Sequence, residues 1–220
     1  MKNCKGNEAK KRIVEEYDIF PISFVKLLEG QKREGCCGTL KDVYYTFSAI
    51  NKEAKKEESF FVGKSCAEQF LELLKLKKLP LFNPLTDIND KSKSATNNDK
   101  KNDTKEEIDK VLPINRELLN AIALLSIIWD SPLKSMRNVC KFSIESSTPN
   151  TKGIIWFNEK LKSDSKGRTL TQMCAELKEK YPNFKNYNFD NLKKVLLENK
   201  IEEKDIFSLK NYYNKNYYQS

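Results

Sequence analysis

Histidine is absent from this chain of 220 residues. Because imidazole is the base of Ser–His–Asp and Cys–His catalytic groups, both types of hydrolase are excluded. The chain also lacks the two common phosphate-binding loops, the GxGxxG of dinucleotide-binding folds and the GxxxxGK[ST] of P-loop proteins. With these enzyme signatures missing, the sequence favours a protein that binds over one that catalyses.

Long apolar runs are missing too. The most apolar run, Leu118–Trp129, includes Asn120 and Ser126 and is shorter than the ~20 residues that cross a bilayer. Residues 1–12 are basic, but no apolar stretch follows them as it would in a signal peptide. We expect a cytoplasmic protein without membrane contact, in which the six cysteines are reduced.

The net charge of +9 comes from 40 basic and 31 acidic residues, and only five of the basic residues are arginine. The abundance of lysine and asparagine fits an AT-rich coding sequence. A modest positive charge favours anionic partners such as DNA or RNA, because cations that contact phosphates release counterions.

Composition divides the chain. Residues 87–109 have almost no apolar side chains and a dense mix of both charges, so they bury too little surface to offset the entropy of ordering. We predict a flexible linker over 86–112, an α+β domain over 1–85, an all-α domain over 113–205 and a Tyr/Asn-rich tail over 206–220. The predicted fold class is α+β.

In the N-terminal part, aromatic and β-branched residues predict strands, and apolar residues at helical spacing predict helices. Ser65 and Glu68 have the spacing of a capping box at the start of the helix that ends before Pro80. The predicted elements are helices Glu8–Tyr17 and Ser23–Glu29, strands Asp42–Ile50 and Ser59–Val62, and the helix from Ser65.

In the C-terminal part, Asn115 is a candidate N-cap for a helix that runs to Trp129. This helix is apolar on most faces, so it is predicted to be the buried centre of its domain. The spacing predicts further helices over 132–142, 154–161, 169–181 and 191–200, the last one capped by Asp190.

The central stretch places Cys36 and Cys37 before a β-hairpin and Cys66 in the first turn of a helix. Cys37-Gly38 and Val62-Gly63-Lys64-Ser65-Cys66-Ala67 resemble the "CxxCG…VGxxCA" modules of small bacterial and phage proteins, which are treble-clef zinc-binding modules. The resemblance covers roughly residues 34–80. It implies a zinc site with Cys36, Cys37 and Cys66 as ligands.

The chain departs from that pattern at two positions. It has Glu34 where the pattern has a cysteine, and Gln69 where some members have a second helix ligand. A structural zinc site needs four ligands, and Cys4 is an available thiolate whose position the sequence does not fix. Two interpretations stay open: a zinc site, or a fold kept without metal, with Cys37 and Cys66 packed as small apolar residues.

Helices 169–181 and 191–200 are candidates for a helix-turn-helix, with phosphate contacts from Arg168, Lys185, Lys193 and Lys194. A plain helical bundle with solvated lysines is the alternative. The tyrosine pairs of the tail, residues 212–213 and 217–218, suit stacking on bases or packing on protein.

The leading functional hypothesis is a non-catalytic nucleic-acid-binding protein of bacterial or mobile-element type. The first alternative is a protein-interaction, adaptor or inhibitor protein in a phage or host-defence context. A small nuclease is the weaker alternative, because Asp164 and Glu176-x-Lys178 have the spacing of a nuclease metal core.

Overall fold

The computed structural model describes residues 4–86, 111–130 and 135–207. The fold is α+β, with an N-terminal sheet region followed by a helical region, which confirms the predicted class. The predicted linker residues 87–109 and most of the predicted tail lie outside the described residues. Among the residues that the structure describes, no helix has both the length and the apolar character needed to cross a membrane.

Residues 4–86, the described part of the N-terminal region, carry two helices and six strands. In chain order they are α1 (Asn7–Glu16), β1 (Tyr17–Lys26), β2 (Arg33–Gly35), β3 (Gly38–Leu40), β4 (Val43–Asn51), β5 (Glu57–Gly63), α2 (Lys64–Leu73) and β6 (Leu81–Phe82). Four strands form a sheet in the order β5-β4-β1-β6, and β2 pairs with β3 as a separate hairpin. All pairs in the main sheet are antiparallel except β1 with β6.

The prediction of a helix over Ser23–Glu29 was wrong, since most of this segment belongs to β1. Strand β1 pairs with β4 along its whole length, with a register shift between Pro21 and Ser23. Pairing with a strand distant in the sequence therefore overrides the local helical spacing, as is common for short segments.

The capping box was also predicted wrongly. Helix α2 begins at Lys64 with Gly63 as its N-cap, and its start has no side-chain cap hydrogen bond. Ser65 therefore lies inside the first turn, and Glu68 accepts a hydrogen bond from Lys78 at 2.9 Å instead.

The C-terminal region is helical: α3 (Pro113–Ile128), α4 (Arg137–Glu145), α5 (Thr151–Leu161), α6 (Leu170–Lys180), α7 (Asp190–Glu198) and a 3-10 turn (Glu203–Asp205). Helix α3 is buried on most faces, as predicted. Two predicted caps are wrong, because Leu112 and Phe189 are the N-caps of α3 and α7.

Asn115 does not cap α3 but makes hydrogen bonds in the core. It is fully buried, its side-chain nitrogen donates to the Thr148 carbonyl at 3.0 Å, and its oxygen accepts from the Asn150 backbone at 2.8 Å. Asn150 is the true cap of α5, since its side chain accepts from the Gly153 backbone. Asn115 therefore fixes the loop before α5 against α3, a long-range role that local cap rules do not predict.

The main sheet is buried on both faces. On one face, Tyr45, Phe47 and Ala49 of β4 join a cluster with residues of α1 and α2. On the other face, Tyr44 of β4 and Phe20 of β1 join a cluster built mainly from the C-terminal helices. The sheet is the middle layer of three, with α1 and α2 on one side and the helical region on the other.

The second cluster crosses the predicted domain boundary. Val25, Leu27 and Leu28 from the N-terminal region share it with Leu118 and Leu124 of α3. The predicted domain boundaries stay a prediction. The hydrophobic core, however, includes residues from both sides of the predicted linker. We therefore expect the sheet and the helical region to depend on each other for stability.

Polar contacts tie the same two regions together. The Arg33 side chain is buried and pairs with Asp130 at the end of α3. Arg137 of α4 binds Asp18 of β1, at 2.7 Å to its carboxylate and 2.8 Å to its carbonyl. These contacts add directional bonds to the apolar interface.

Replacing Leu124 by alanine tests the shared core. Leu124 is fully buried, so we expect Leu124→Ala to lower the free energy of unfolding by about 2–5 kcal/mol. Sheet and helices should unfold in a single urea transition, followed by far-UV circular dichroism and tryptophan fluorescence. Leu197→Ala, at a side chain 45% exposed, is the control and should cost less than about 1 kcal/mol. Two separate transitions would contradict the shared core.

Candidate metal centre

The adjacent cysteines form the turn of a hairpin. Gly35 of β2 pairs with Gly38 of β3, so Cys36 and Cys37 are the two turn residues between them. Gly38 has a φ of 128°, a backbone conformation that favours glycine. The Cys36 backbone nitrogen donates to the Phe61 carbonyl at 2.9 Å and holds the turn against β5.

Four sulfur atoms meet at this turn. The Cys37 sulfur lies 3.1 Å from that of Cys4, 3.6 Å from that of Cys36 and 3.5 Å from that of Cys66. The sulfurs of Cys4 and Cys36 lie within bonding distance of each other. We call these four residues the thiol cluster. The sulfurs of Cys4, Cys36 and Cys37 all lie within 4.8 Å of one another, a group that could hold a metal ion.

The structure brings the three predicted cysteines together and adds Cys4. Cys66 lies in the first turn of α2, as predicted, and meets the hairpin turn through Cys37. Cys4 is fully buried just before α1 and belongs to the cluster shared by α1, α2 and the sheet. Its place depends on the packing of α1, so no local spacing in the sequence could have identified it.

Groups around the thiol cluster shift the pKa of the Cys37 thiol in opposite directions. Burial, and then the neighbouring Cys66 thiol, raise the pKa of the Cys37 thiol, while the Lys10 ammonium acts to lower it. Lys10 is itself only 2% exposed, an uncommon position for a lysine. The cluster therefore disfavours extra negative charge unless a cation compensates for it, which a metal ion would do.

Two chemical states are open to this arrangement. Cysteine binds metals as the thiolate, so all ligands of a metal ion must be reduced. A disulfide between Cys4 and Cys36 would leave Cys37 and Cys66 as free thiols. Metal binding and this disulfide are therefore mutually exclusive.

The four cations predicted to contact phosphates lie in different settings. Arg168 pairs with Asp164 at 2.9 Å and with Glu176 at 2.6 Å. The remaining three are lysines: Lys185 donates to the Asn83 carbonyl at 2.9 Å, Lys193 pairs with Glu203 at 2.6 Å, and Lys194 is exposed. Three of the four predicted contacts therefore already have intramolecular partners.

The two candidate recognition helices have other neighbours. Helix α7 packs on α3 and α5, and Glu117 of α3 accepts from the Leu192 backbone and the Asn191 side chain. The segment between α6 and α7 carries Phe184, Tyr187 and Phe189, whose rings contact one another, and Tyr187 also contacts Phe82. This connection is a packed segment and lacks the short turn of a helix-turn-helix. The tyrosine pairs of the tail lie outside the described residues.

The residues with nuclease-like spacing do come together, but around an arginine. Arg168 binds both Asp164 and Glu176, and Asp164 also accepts from the Trp129 indole at 2.7 Å. Lys178 donates to the Phe184 carbonyl at 2.6 Å. Both oxygens of Asp164 accept hydrogen bonds from the protein, so the Asp164–Arg168 pair, which we call the Asp164 tie, stabilises the loop before α6.

A concave surface lies at the edge of the main sheet. We call it the edge groove, a mostly apolar cavity of about 470 Å³. Residues 20–24 of β1 form its floor, residues 75–80 after α2 form one wall, and α3 with the end of α4 forms the other. No pattern in the sequence identified it, because its parts come from four separate stretches of the chain.

The Asp164 tie predicts a pH dependence. Burial opposes ionisation of Asp164, but hydrogen bonds from the Arg168 side chain and backbone and from Trp129 outweigh it and lower the pKa from 3.8 to about 2. This contribution to stability is complete above pH 4 or so and is lost as the pH falls toward 2.

Asp164→Asn should therefore cost about 3 kcal/mol at pH 7 in urea denaturation, and much less near pH 2. Glu176→Gln, at the exposed partner of Arg168, is the control and should cost less than about 1 kcal/mol. Equal losses for Asp164→Asn at both pH values would show that the carboxylate charge has no such role.

Comparison with known protein families gives a match over most of the chain. A family model described as "Uncharacterised conserved protein UCP028583" matches residues 2–203. No curated protein and no solved structure matches the chain. The matched span covers the sheet, the thiol cluster and the helices through α7, so the chain belongs to the family of uncharacterised conserved proteins UCP028583.

Proposed function

We propose that this protein is a non-catalytic protein-binding module whose N-terminal region is held together by a structural zinc ion. The convergence of four cysteine sulfurs from three separate stretches of the chain carries the zinc part of the proposal. The apolar edge groove carries the binding part.

The ligand type supports zinc over other cations. Zinc–thiolate bonds of ~2.3 Å in a tetrahedron place the sulfurs about 3.8 Å apart, and three sulfurs lie 3.1–3.6 Å from that of Cys37. Cys4 and Cys36 lie within bonding distance, and Cys66 is outside the group whose sulfurs are all within 4.8 Å of one another, so zinc binding requires the first two to separate and Cys66 to move toward them. A set of four thiolates suits zinc and excludes calcium or magnesium, which prefer oxygen ligands. Cys4, Cys36, Cys37 and Cys66 would hold the ion, and Lys10 would offset part of the thiolate charge.

The order of elements supports the resemblance to treble-clef modules. A cysteine-bearing hairpin (β2–β3) is followed by a second hairpin (β4–β5) and by α2, which carries Cys66 in its first turn. Cys4 stands in for the ligand that the pattern has at the position of Glu34. The ion would have a structural role, because four protein ligands leave no open position for a substrate.

Protein binding is supported better than nucleic-acid binding. Arg168, Lys185 and Lys193 already have intramolecular partners, so they are poor phosphate contacts. An apolar concave surface suits the side chains of a protein partner. Nucleic acid remains the second candidate, favoured by the net charge of +9 and by the exposed Lys194.

Metal analysis tests the zinc centre. Protein purified under reducing conditions without added zinc should contain about one zinc ion per chain, and Cys4→Ser or Cys66→Ser should lose most of it. A chelator should lower the melting temperature of the wild type, because metal binding contributes folding energy. Cys174→Ser, outside the thiol cluster, is the matched control and should keep the metal.

Counting thiols separates the two states of the cluster. After denaturation with a chelator, a zinc-bound chain yields six reactive thiols, whereas a chain with the Cys4–Cys36 disulfide yields four. Four thiols, no zinc and an unchanged melting curve with chelator would contradict the zinc proposal.

Salt dependence separates the two kinds of partner. We expect only weak binding of a 20-nucleotide oligothymidine near physiological salt, measured by fluorescence anisotropy. Tight binding with a Kd that rises more than about tenfold between roughly 50 and 200 mM salt would show that phosphate contacts dominate. That outcome would reverse the order of the two candidates.

A further inference from the structure

The outer edge of β1 is largely unpaired in the described part of the chain. Strand β4 pairs with β1 from Tyr17 to Lys26, whereas β6 pairs only with Phe24 and Val25 on the other side. The stretch from Tyr17 to Ser23 thus has no strand partner on its outer side among the described residues. An unpaired strand edge is a template for another extended chain.

The edge groove runs along this same edge. Its floor is residues 20–24, and its two walls lie on opposite faces of the sheet. Leu76 and Leu79 of one wall pack on the cluster formed with α1 and α2, while Leu119 and Ala123 of the other wall belong with the helical region. An extended segment entering the groove would meet a strand edge between two apolar walls, the geometry of β-strand addition.

Pro21 fits this position. It lies in the middle of the groove floor and opposite Phe47 of β4. Proline lacks a backbone N–H, so within sheets it occurs mainly on edge strands. The missing N–H weakens backbone pairing with any added strand at this point. A partner at this edge would therefore depend on side-chain contacts with the two walls as well as on backbone pairing.

The charges around the groove select the peptide's composition. Four basic residues line it, against one acidic residue: Lys75, Lys77, Lys78 and Arg116 against Glu145. Lys78 pairs with Glu68, and Lys75 is exposed. Apolar walls under a basic rim complement a peptide that combines apolar and acidic side chains.

We propose that the edge groove binds an extended peptide of a partner protein, rich in acidic and apolar residues, by strand addition to β1. The inference rests on the proposed protein-binding function and gives it a site, a binding mode and a class of partner. The volume of about 470 Å³ accommodates a segment of a few residues.

Selection from a displayed library of random eight-residue peptides provides the probe. Selection against the full chain should yield sequences in which apolar residues alternate with glutamate or aspartate, since alternate side chains of a strand face opposite walls and the three lysines lie on the 75–80 wall. The most enriched peptide, labelled with fluorescein, then serves for anisotropy. The same peptide with alternate backbone nitrogens methylated should bind at least about tenfold more weakly, because it cannot pair with a strand edge.

A charge reversal with a matched control locates the site. Lys75→Glu with Lys77→Glu should weaken binding of the enriched peptide more than about tenfold by removing charge complementarity. Lys55→Glu with Lys56→Glu makes the same charge change in the β4–β5 turn and should change it less than about twofold. Lys55 and Lys75 both have positive backbone φ angles, 55° and 53°, so the two substitutions at these positions meet the same backbone constraint. Melting curves check that both variants fold.

Several results would overturn the proposal. They are failure of the library to enrich any peptide, enrichment of lysine-rich sequences, equal binding of the methylated peptide, or equal effects of the two double variants. A peptide that binds elsewhere, unaffected by Lys75→Glu with Lys77→Glu, would reject the groove and keep the proposed protein-binding function. Tight, salt-sensitive binding of oligothymidine with no enriched peptide would reject both.

Discussion

The rest of the structure depends on the burial of the main sheet on both faces. Strand β4 places Tyr45 and Phe47 against α1 and α2, and Tyr44 against the helical region. Since successive side chains of a strand point to opposite faces, one strand contributes to both clusters. The helical region therefore covers a sheet face that would otherwise be exposed, and the two regions share one hydrophobic core.

The thiol cluster depends on that packing. Helix α1 lies against the sheet and brings Cys4 to the β2–β3 turn, while the β4–β5 hairpin brings Cys66. A bound metal ion would fix these three stretches to one another in return, so folding and metal binding are expected to reinforce each other. The cluster is placed to stabilise the N-terminal layer and lies against β5, through the bond from the Cys36 backbone to Phe61, whereas the groove is lined by β1.

Several cations of this basic protein serve as internal ties. Arg33 and Arg137 join the sheet to the helical region, and Arg168 closes the loop before α6. A buried arginine with a carboxylate partner cannot also bind phosphate at low cost. Net charge alone therefore overstates the number of cations available to an anionic partner, and the groove, whose parts come from four separate stretches of the chain, is the better candidate site.

The sequence by itself determined the fold class, the strands of the β4–β5 hairpin, the buried character of α3 and the position of Cys66 in a helical first turn. These features rest on local periodicity and composition, which act within a few residues. Only the tertiary structure decided that residues 23–26 form a strand, that Asn115 braces a loop, that Cys4 joins the thiol cluster and that a groove lies beside β1. Each of these depends on partners distant in the chain, and contacts of that kind leave no local signal in the sequence.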